Sequence, residues 1–373
     1  MKEVLFNPNP TNAGALLTID LGAICANWRA LKARVGTVEC AAVVKADAYG
    51  LGAVKIAPAL YGAGCRHFFV AHLTEAIELR PALPNDAAIY VLHGPYPGTE
   101  QAFAVHGLVP VLNSLSQVLA WGALARRRGV RLPAILQLDT GMARLGLCTA
   151  ELEALVANQG ALDGIDLKYI MSHLVSAEEH DNAINSMQLA RFRTALVRLP
   201  KTKASLANSS GIFLGRDYHF DLVRPGAALY GVAPAAGMSN PLRSVIKLRG
   251  RVIQTRWIEA GTAVGYSHTW TAPCRSLIAT VSVGYADGFI RSLSNKAVAS
   301  FNGYRLPLVG NISMDTITVD ITYVPADQIM EGTLITLVDD LLNVDEIASR
   351  AGTIGYEILT SLGSRYLRSY VGD

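Results

Sequence analysis

The stretch AAVVKADAYGLG, residues 41–52, is an apolar run that stops on a cation, Lys45, and continues into an acid, a tyrosine and two glycines. Taken alone, it reads as a buried strand surfacing into water. Its surroundings decide what kind of strand it is. Similar short apolar runs recur roughly every 20 to 35 residues: LLTID (16–20), CAAVVKA (40–46), HFFVA (67–71), AIYVL (88–92), LVPVLN (108–113), AILQLD (134–139), LKYIMSH (167–173), KASLANS (203–209) and DLVRPG (221–226). Between them lie stretches with helical spacing, such as AELEALVANQ (150–159) and NSMQLARFRTALVRL (185–199). Apolar strands alternating with helices predict a parallel α/β fold, and eight such units make a (β/α)8 TIM-like barrel. The nine candidate strands are one too many, so the first is free to pair elsewhere. An open doubly wound sheet is the alternative, weakened because no GxGxxG follows the early strands.

Beyond residue 241 the texture changes. SVIKLRGRVIQTRWI (244–258), SLIATVSVGYA (276–286), MDTITVDIT (314–322) and GTLITLVDD (332–340) are rich in β-branched residues and separated by glycine-containing turns. They predict a mainly antiparallel β domain. The expected organisation is a barrel over residues 14–240 and a β domain over 241–373. Residues 1–13, alone or with strand 16–20, are expected to pack on the β domain. The uncharged segment 225–242, with three prolines and three glycines, reads as the linker and not as a membrane helix.

The totals narrow the function classes. The 373 residues are 51% apolar and only 17% charged, with a net charge of +3. That favours a large core and excludes disorder. Neither a basic run nor a basic–aromatic strip is present, so no nucleic-acid partner is expected. Five cysteines, with no CxxC, fit a reducing compartment and exclude a cysteine-rich metal site. MKEVLFNPNPTNAG (1–14) lacks the apolar core of a signal peptide, so a cytoplasmic protein with no membrane partner is expected.

In a barrel, the C-terminal strand ends form the active site. Polar residues gather at those ends: Lys45; Asp139 and Arg144 in LDTGMARLG (138–146); His173; ANSSG (207–211), with Asn208 and Ser209; and RPG (224–226). The loops after the last strands of a barrel commonly bind phosphate, and the N–H groups of Gly226 and Ala227 suit an anion. A phosphate site beside a lysine in an apolar setting points to pyridoxal phosphate held as a Schiff base.

Nine motifs in order carry a resemblance: VVKADAYGLG (43–52), LDTGMARLG (138–146), SHL (172–174), ANSSG (207–211), RPGAALYG (224–231), VGYSHTW (264–270), VGYADG (283–288), NISMD (311–315) and GYE (355–357). Over about residues 15–366 the chain resembles alanine racemase, a pyridoxal-phosphate enzyme with a barrel and a β domain. The resemblance implies that Lys45 is the Schiff-base lysine. It implies that Tyr49, Ser209, Gly226, Ala227 and Tyr356 contact the phosphate, with Asn208 in the same cradle. Arg224 would meet the pyridine nitrogen and His173 would brace Arg224. Arg144 would face the cofactor's phenolic oxygen and the substrate carboxylate, and the Met314 N–H would meet that carboxylate. Tyr285 and Asp315 complete the expected substrate side. Tyr266 would be the second base, lent by a neighbouring subunit, so a homodimer with shared sites is expected.

Two bases on opposite faces of Cα can racemise an amino acid without rotating it. The expected reaction is the interconversion of L- and D-alanine, supplying D-alanine for peptidoglycan. A broader-specificity racemase is the near alternative, and a pyridoxal-phosphate decarboxylase a more distant one. A non-enzymatic carrier built on the barrel alone is disfavoured by the β domain carrying Tyr266 and Tyr356. Two positions depart from the family pattern: Gln137 stands where many members have a modified lysine, and Asn311 where many have an arginine. His67, His72, His93, His106 and His180 show no metal spacing and read as structural or surface residues.

Overall fold

A computed structural model describes residues 9–372 except residues 159 and 236. The expectation for residues 1–8, and the last residue of the helix expected over 150–159, lie outside the described residues. The chain parts into two compact units. Residues 24–242 form one; residues up to 23, with those from 243 onward, form the other. The strand candidate at 16–20, β1 (Ala15–Asp20), belongs to the second unit.

The first unit is built on β2 (Glu39–Cys40), β3 (Ala42–Val43), β4 (His67–Val70), β5 (Ala88–Val91), β6 (Val109–Leu112), β7 (Leu132–Gln137), β8 (Ile165–Met171), β9 (Ala204–Ser205) and β10 (Leu222–Val223). β3 through β9 pair in sequence order, every pair parallel. Two hydrogen-bonded seams close the ring. The N–H groups of Glu39, Ala41 and Val43 donate to the carbonyls of Asp221, Val223 and Pro225. Asp221 and Arg224 in turn donate to Ala204 and Ala207 at 3.0 and 2.9 Å. With β2 and β3 counted as one run interrupted at Ala41, eight staves make the barrel. Phe68, Phe69, Ile89, Val111 and Leu136 are fully buried in its wall. Strands covered on both faces must be apolar throughout, which is why each run lacks alternation.

Helices occupy the intervals. Leu115–Arg128 starts where the Ser114 hydroxyl accepts the Gln117 N–H and ends at Gly129, φ 64°. Thr149–Ala157 and Ala183–Leu196 stand close to the two expected spans. The supposed linker over 225–242 needs correction. Its first part is barrel: Ala227–Tyr230 is a buried 3-10 turn, with the Leu229 carbonyl accepting from Asn27 and the Tyr230 hydroxyl donating to the Val43 carbonyl. Prolines and glycines there shape a tight turn against the core.

In the second unit, β1 pairs antiparallel with the long β11 (Ile246–Ile258) and parallel with the last strand. A hairpin of β12 (Ala263–Val264) and β13 (Trp270–Thr271) follows. β14 (Ser276–Val281), β15 (Val298–Phe301), β16 (Tyr304–Pro307), β17 (Ile317–Asp320) and β18 (Leu334–Val338) continue the antiparallel pairing. Helices Val344–Ala351 and Gly355–Thr360 precede the last strand, β19 (Leu367–Val371). Arg251 ties the N-terminal segment down by donating to the Ala13 and Pro10 carbonyls at 2.9 and 2.7 Å. Among the described residues, no helix is long and apolar enough to cross a membrane.

Candidate active site

The chain beyond β3 does not simply end on Lys45. Residues 46–49 all adopt left-handed backbone, with φ between 52° and 57° and none of them glycine. For L-residues this costs roughly 1–2 kcal/mol each, and such strain persists only where surrounding bonds over-determine it. Here the Ala46 N–H donates to Glu75 Oε1 at 2.5 Å, the Gly52 N–H to the Asp47 carbonyl at 2.9 Å, and the Ala53 N–H to Asp47 Oδ1 at 2.7 Å. The turn carries Lys45 at one end and the buried Tyr49 at the other. Burial, then the charge of Arg144, lowers the Lys45 amine below its ordinary value, and Glu75 partly opposes this. A lysine so placed is a competent nucleophile.

Arg224 is buried. Its guanidinium donates to the Ser205 hydroxyl, to the Ser172 carbonyl at 2.6 Å and to the Leu206 carbonyl at 3.3 Å. Among the described residues no carboxylate pairs with it. Burial lowers its proton affinity to about 10, so it stays charged at neutral pH. His173 Nδ1 lies 3.5 Å from Arg224 Nη2. Because guanidinium has only donors, Nδ1 accepts and the ring proton sits on Nε2. Burial, reinforced by Arg224, Arg144 and Lys45, pushes His173 down to about 3, so it is neutral. The barrel mouth is therefore strongly cationic.

Beside it, the Ser209 hydroxyl accepts from the Gly226 and Ala228 N–H groups at 2.9 and 3.2 Å. Both lone pairs are engaged, and the hydroxyl hydrogen remains to be donated. Asn208 caps the turn by accepting the Gly211 N–H at 2.9 Å. A Cβ on Gly226 would sit 2.3 Å from the Tyr49 hydroxyl, so only glycine fits there. Tyr49, Ser209, Gly226 and the start of the Ala227–Tyr230 turn thus form one cradle. Arg144 is exposed on the loop after β7, just past left-handed Ala143. Asp139 Oδ1 shapes that loop by accepting from Gly141, Met142 and Ala143. The buried Gln137 donates to the Leu145 carbonyl at 3.2 Å.

In the second unit, Tyr266 lies on the tip of the β12–β13 hairpin and is 68% exposed. Asn311 Nδ2 donates to its carbonyl at 2.8 Å. Tyr266, Asn311, Ser313, Thr316 and Thr318 line a cavity of about 400 Å³. The Tyr285 N–H donates to the Ser313 carbonyl and the Ala286 N–H to that of Met314, both at 3.0 Å. A Cβ on Gly284 would lie 2.2 Å from the Met314 carbonyl oxygen, so that strand and loop touch through bare backbone. Arg365 grips the buried Asp287 through two bonds, at 2.6 and 2.8 Å, and Asp315 through a third at 2.7 Å. Tyr285, Met314 and Asp315 are thereby brought together. Tyr356 is exposed on the helix Gly355–Thr360.

Sequence reading missed Glu75, Asp287 and Arg365: Glu75 meets the Ala46 backbone, and Arg365 the Asp287 and Asp315 carboxylates, only in the fold. It also set His72 and His93 aside as structural or surface residues. Their ring centroids lie 4.5 Å apart with one ring edge-on to the other, and burial, His72, Lys45 and Arg144 lower His93. Among the described residues, no cluster of histidine, cysteine and carboxylate side chains could hold a metal.

Comparison with known proteins covers both units. Residues 19–234 match the family described as alanine racemase, N-terminal domain, and residues 245–370 match alanine racemase, C-terminal domain. The alanine racemase of Brucella abortus is 51% identical over 372 residues, spanning 96% of this chain and 94% of that protein. The catabolic alanine racemase of Mesorhizobium japonicum is 51% identical over 360 residues, with the same coverage. A crystal structure of alanine racemase from Bartonella henselae with covalently bound pyridoxal phosphate matches with a TM-score of 0.93 at 47% identity, covering 96% of this chain and 100% of that one.

Proposed function

The chain belongs to the alanine racemase family, and from that premise we propose that it interconverts L- and D-alanine on pyridoxal phosphate, with Lys45 and Tyr266 as its two bases. The residues fit the cofactor. A dianionic phosphate suits the Ser209 hydroxyl, whose hydrogen remains to be donated, and Gly226 lets the Tyr49 hydroxyl approach the same turn. A buried arginine without a carboxylate suits a neutral ring nitrogen. When bound, the cofactor supplies an electron sink for the pair left at Cα.

The chain's own residues supply the rest. Lys45 holds the cofactor and, once freed by substrate, its Nζ moves a proton at one face of Cα. The Tyr266 hydroxyl moves a proton at the other face. Arg224 donates a hydrogen bond to the ring nitrogen but yields no proton, since it remains charged at neutral pH. A weaker electron sink limits side reactions such as transamination. His173 keeps Arg224 in register without adding a second charge. Tyr49, Asn208, Ser209, Ala227 and Tyr356 serve the phosphate side. Arg144, Tyr285, Met314 and Asp315 serve the substrate carboxylate. Tyr266 works in the active site of a neighbouring subunit, making the enzyme a homodimer in the cytoplasm that provides D-alanine for peptidoglycan.

One observation carries this reading: a lysine amine lowered by burial and by Arg144 at the mouth of a barrel whose last two strands present the Ser209 hydroxyl, its hydrogen still to be donated, to an anion. Borohydride treatment of the yellow protein, followed by peptide mass spectrometry, is expected to place a pyridoxyl group on Lys45. Tyr266→Phe is expected to lose racemisation in both directions by about 10²-fold or more while keeping the cofactor. A pyridoxyl group elsewhere, or a fully active Tyr266→Phe, would sink the assignment.

A further inference from the structure

We propose that Glu75 is a positioning residue for Lys45, its carboxylate clamping the left-handed turn that carries the amine. The proposal rests on the assignment of Lys45 above. Glu75 sits in the first turn of the helix Leu73–Leu79, which follows β4. Its Oε2 accepts the Ala71 and His72 N–H groups at 2.8 and 2.9 Å, fixing the carboxylate against its own strand end. Its Oε1 crosses to the neighbouring strand end and accepts the N–H of Ala46, the residue after Lys45. Beyond Val44, whose N–H donates to the Phe69 carbonyl, the ladder between these strands runs out. Glu75 carries the connection one step further by side chain.

That step decides geometry at both ends of the turn. Lys45 and Tyr49 flank three left-handed residues, and Tyr49 is itself left-handed. A rotation at Ala46 therefore turns the Cα–Cβ direction of Lys45 relative to the Tyr49 phenol beside Gly226. Amine and phosphate cradle face one cofactor, so their separation must be fixed before it arrives. The charged groups facing Lys45 are Arg144 and Glu75, with His93 and His173 at the same mouth. Glu75 is the acid among them, so it also holds the amine's proton affinity up against burial and Arg144.

Two variants separate the clamp from the charge. Glu75→Gln loses the charge and keeps one carbonyl oxygen, enough for one strand end. Glu75→Ala loses both acceptor oxygens and all three hydrogen bonds they receive. Each apoprotein, checked for native circular dichroism, is mixed with pyridoxal phosphate across a pH series. Lys45 adds to the aldehyde with loss of water, and borohydride fixes the product for mass spectrometry. Both variants are expected to shift the capture midpoint equally to lower pH. At a pH above both midpoints, capture is expected to slow by about tenfold in Glu75→Gln and by about 10²-fold in Glu75→Ala, the scale of an ångström-size misplacement. In the holoenzymes kcat should fall in the same order with KM little changed. Should the Ala variant not fold, the Gln variant alone carries the comparison. Wild-type rates and midpoints in the folded variants would overturn the clamp. Failure of the wild-type protein to capture at Lys45 would instead overturn the Lys45 assignment beneath it.

Discussion

Replacing Ser209 with alanine removes the side-chain acceptor of two buried backbone donors. The Ser209 hydroxyl takes the N–H groups of Gly226 and Ala228 at 2.9 and 3.2 Å, in a segment where Ala227, Ala228 and Leu229 are 2% exposed or less. Leaving a buried donor unsatisfied costs roughly 1–3 kcal/mol. Two such donors, sharing one acceptor, place the loss at about 2–4 kcal/mol for the apoprotein. The cofactor phosphate additionally loses a hydrogen bond to a charged group, worth roughly 1.5–3 kcal/mol, or about 10- to 10²-fold in affinity. Three measurements follow from one variant. Urea denaturation of the apoprotein reads the stability. Fluorescence titration with pyridoxal phosphate reads the Kd. Hydrogen exchange resolved to single amides reads Gly226 and Ala228 directly, and both should lose protection while Phe68 and Phe69 in the barrel wall keep theirs. If the variant loses less than about 0.5 kcal/mol, within the scatter of a neutral surface change, and the two amides stay protected, Ser209 does not hold this turn.

Three further outcomes are expected. Ala46→Gly, at an exposed position with φ 52°, should stabilise the protein by about 1 kcal/mol by removing the Cβ clash; urea denaturation of both forms checks it. Arg365→Met leaves the buried Asp287 carboxylate without its bidentate partner and should lower the urea midpoint of the protein, with KM for alanine rising as Met314 and Tyr285 lose their support. His173, held at about 3 in the folded protein, takes up its proton more readily unfolded, where its value is near 6.5. Its neutral form therefore favours folding above pH 6.5, and that contribution is lost as pH falls from 6.5 toward 3, by up to about 1.4 kcal/mol per pH unit. In His173→Asn that part of the acid slope should disappear from a denaturation series.

Much of this protein was legible in its residues because the signals are local. Strands covered on both faces must be apolar end to end, so the barrel staves and their spacing could be read directly. Polar residues closing those runs stood out for the same reason, and Lys45, His173, Ser209 and Arg224 were visible as a set. Gly226 could be placed at an anion site by its neighbours, though not by the Tyr49 hydroxyl that excludes a Cβ. The segment after Pro225 misled, because a proline- and glycine-rich stretch looks the same in a linker as in a turn buried against Asn27 and Val43.

What the fold alone decided concerns partners far apart in the chain. β1 abandons the barrel for β11 and β19, a choice among equally apolar runs that strand composition cannot rank. Glu75 reaches Ala46 across 29 positions, and Arg365 reaches Asp287 across 78. Nothing in the local pattern distinguishes these charges from solvated ones. The left-handed turn after Lys45 goes against the intrinsic preference of every residue in it. Short-range preference sets which elements form; long-range hydrogen bonds set which strained conformations they can hold.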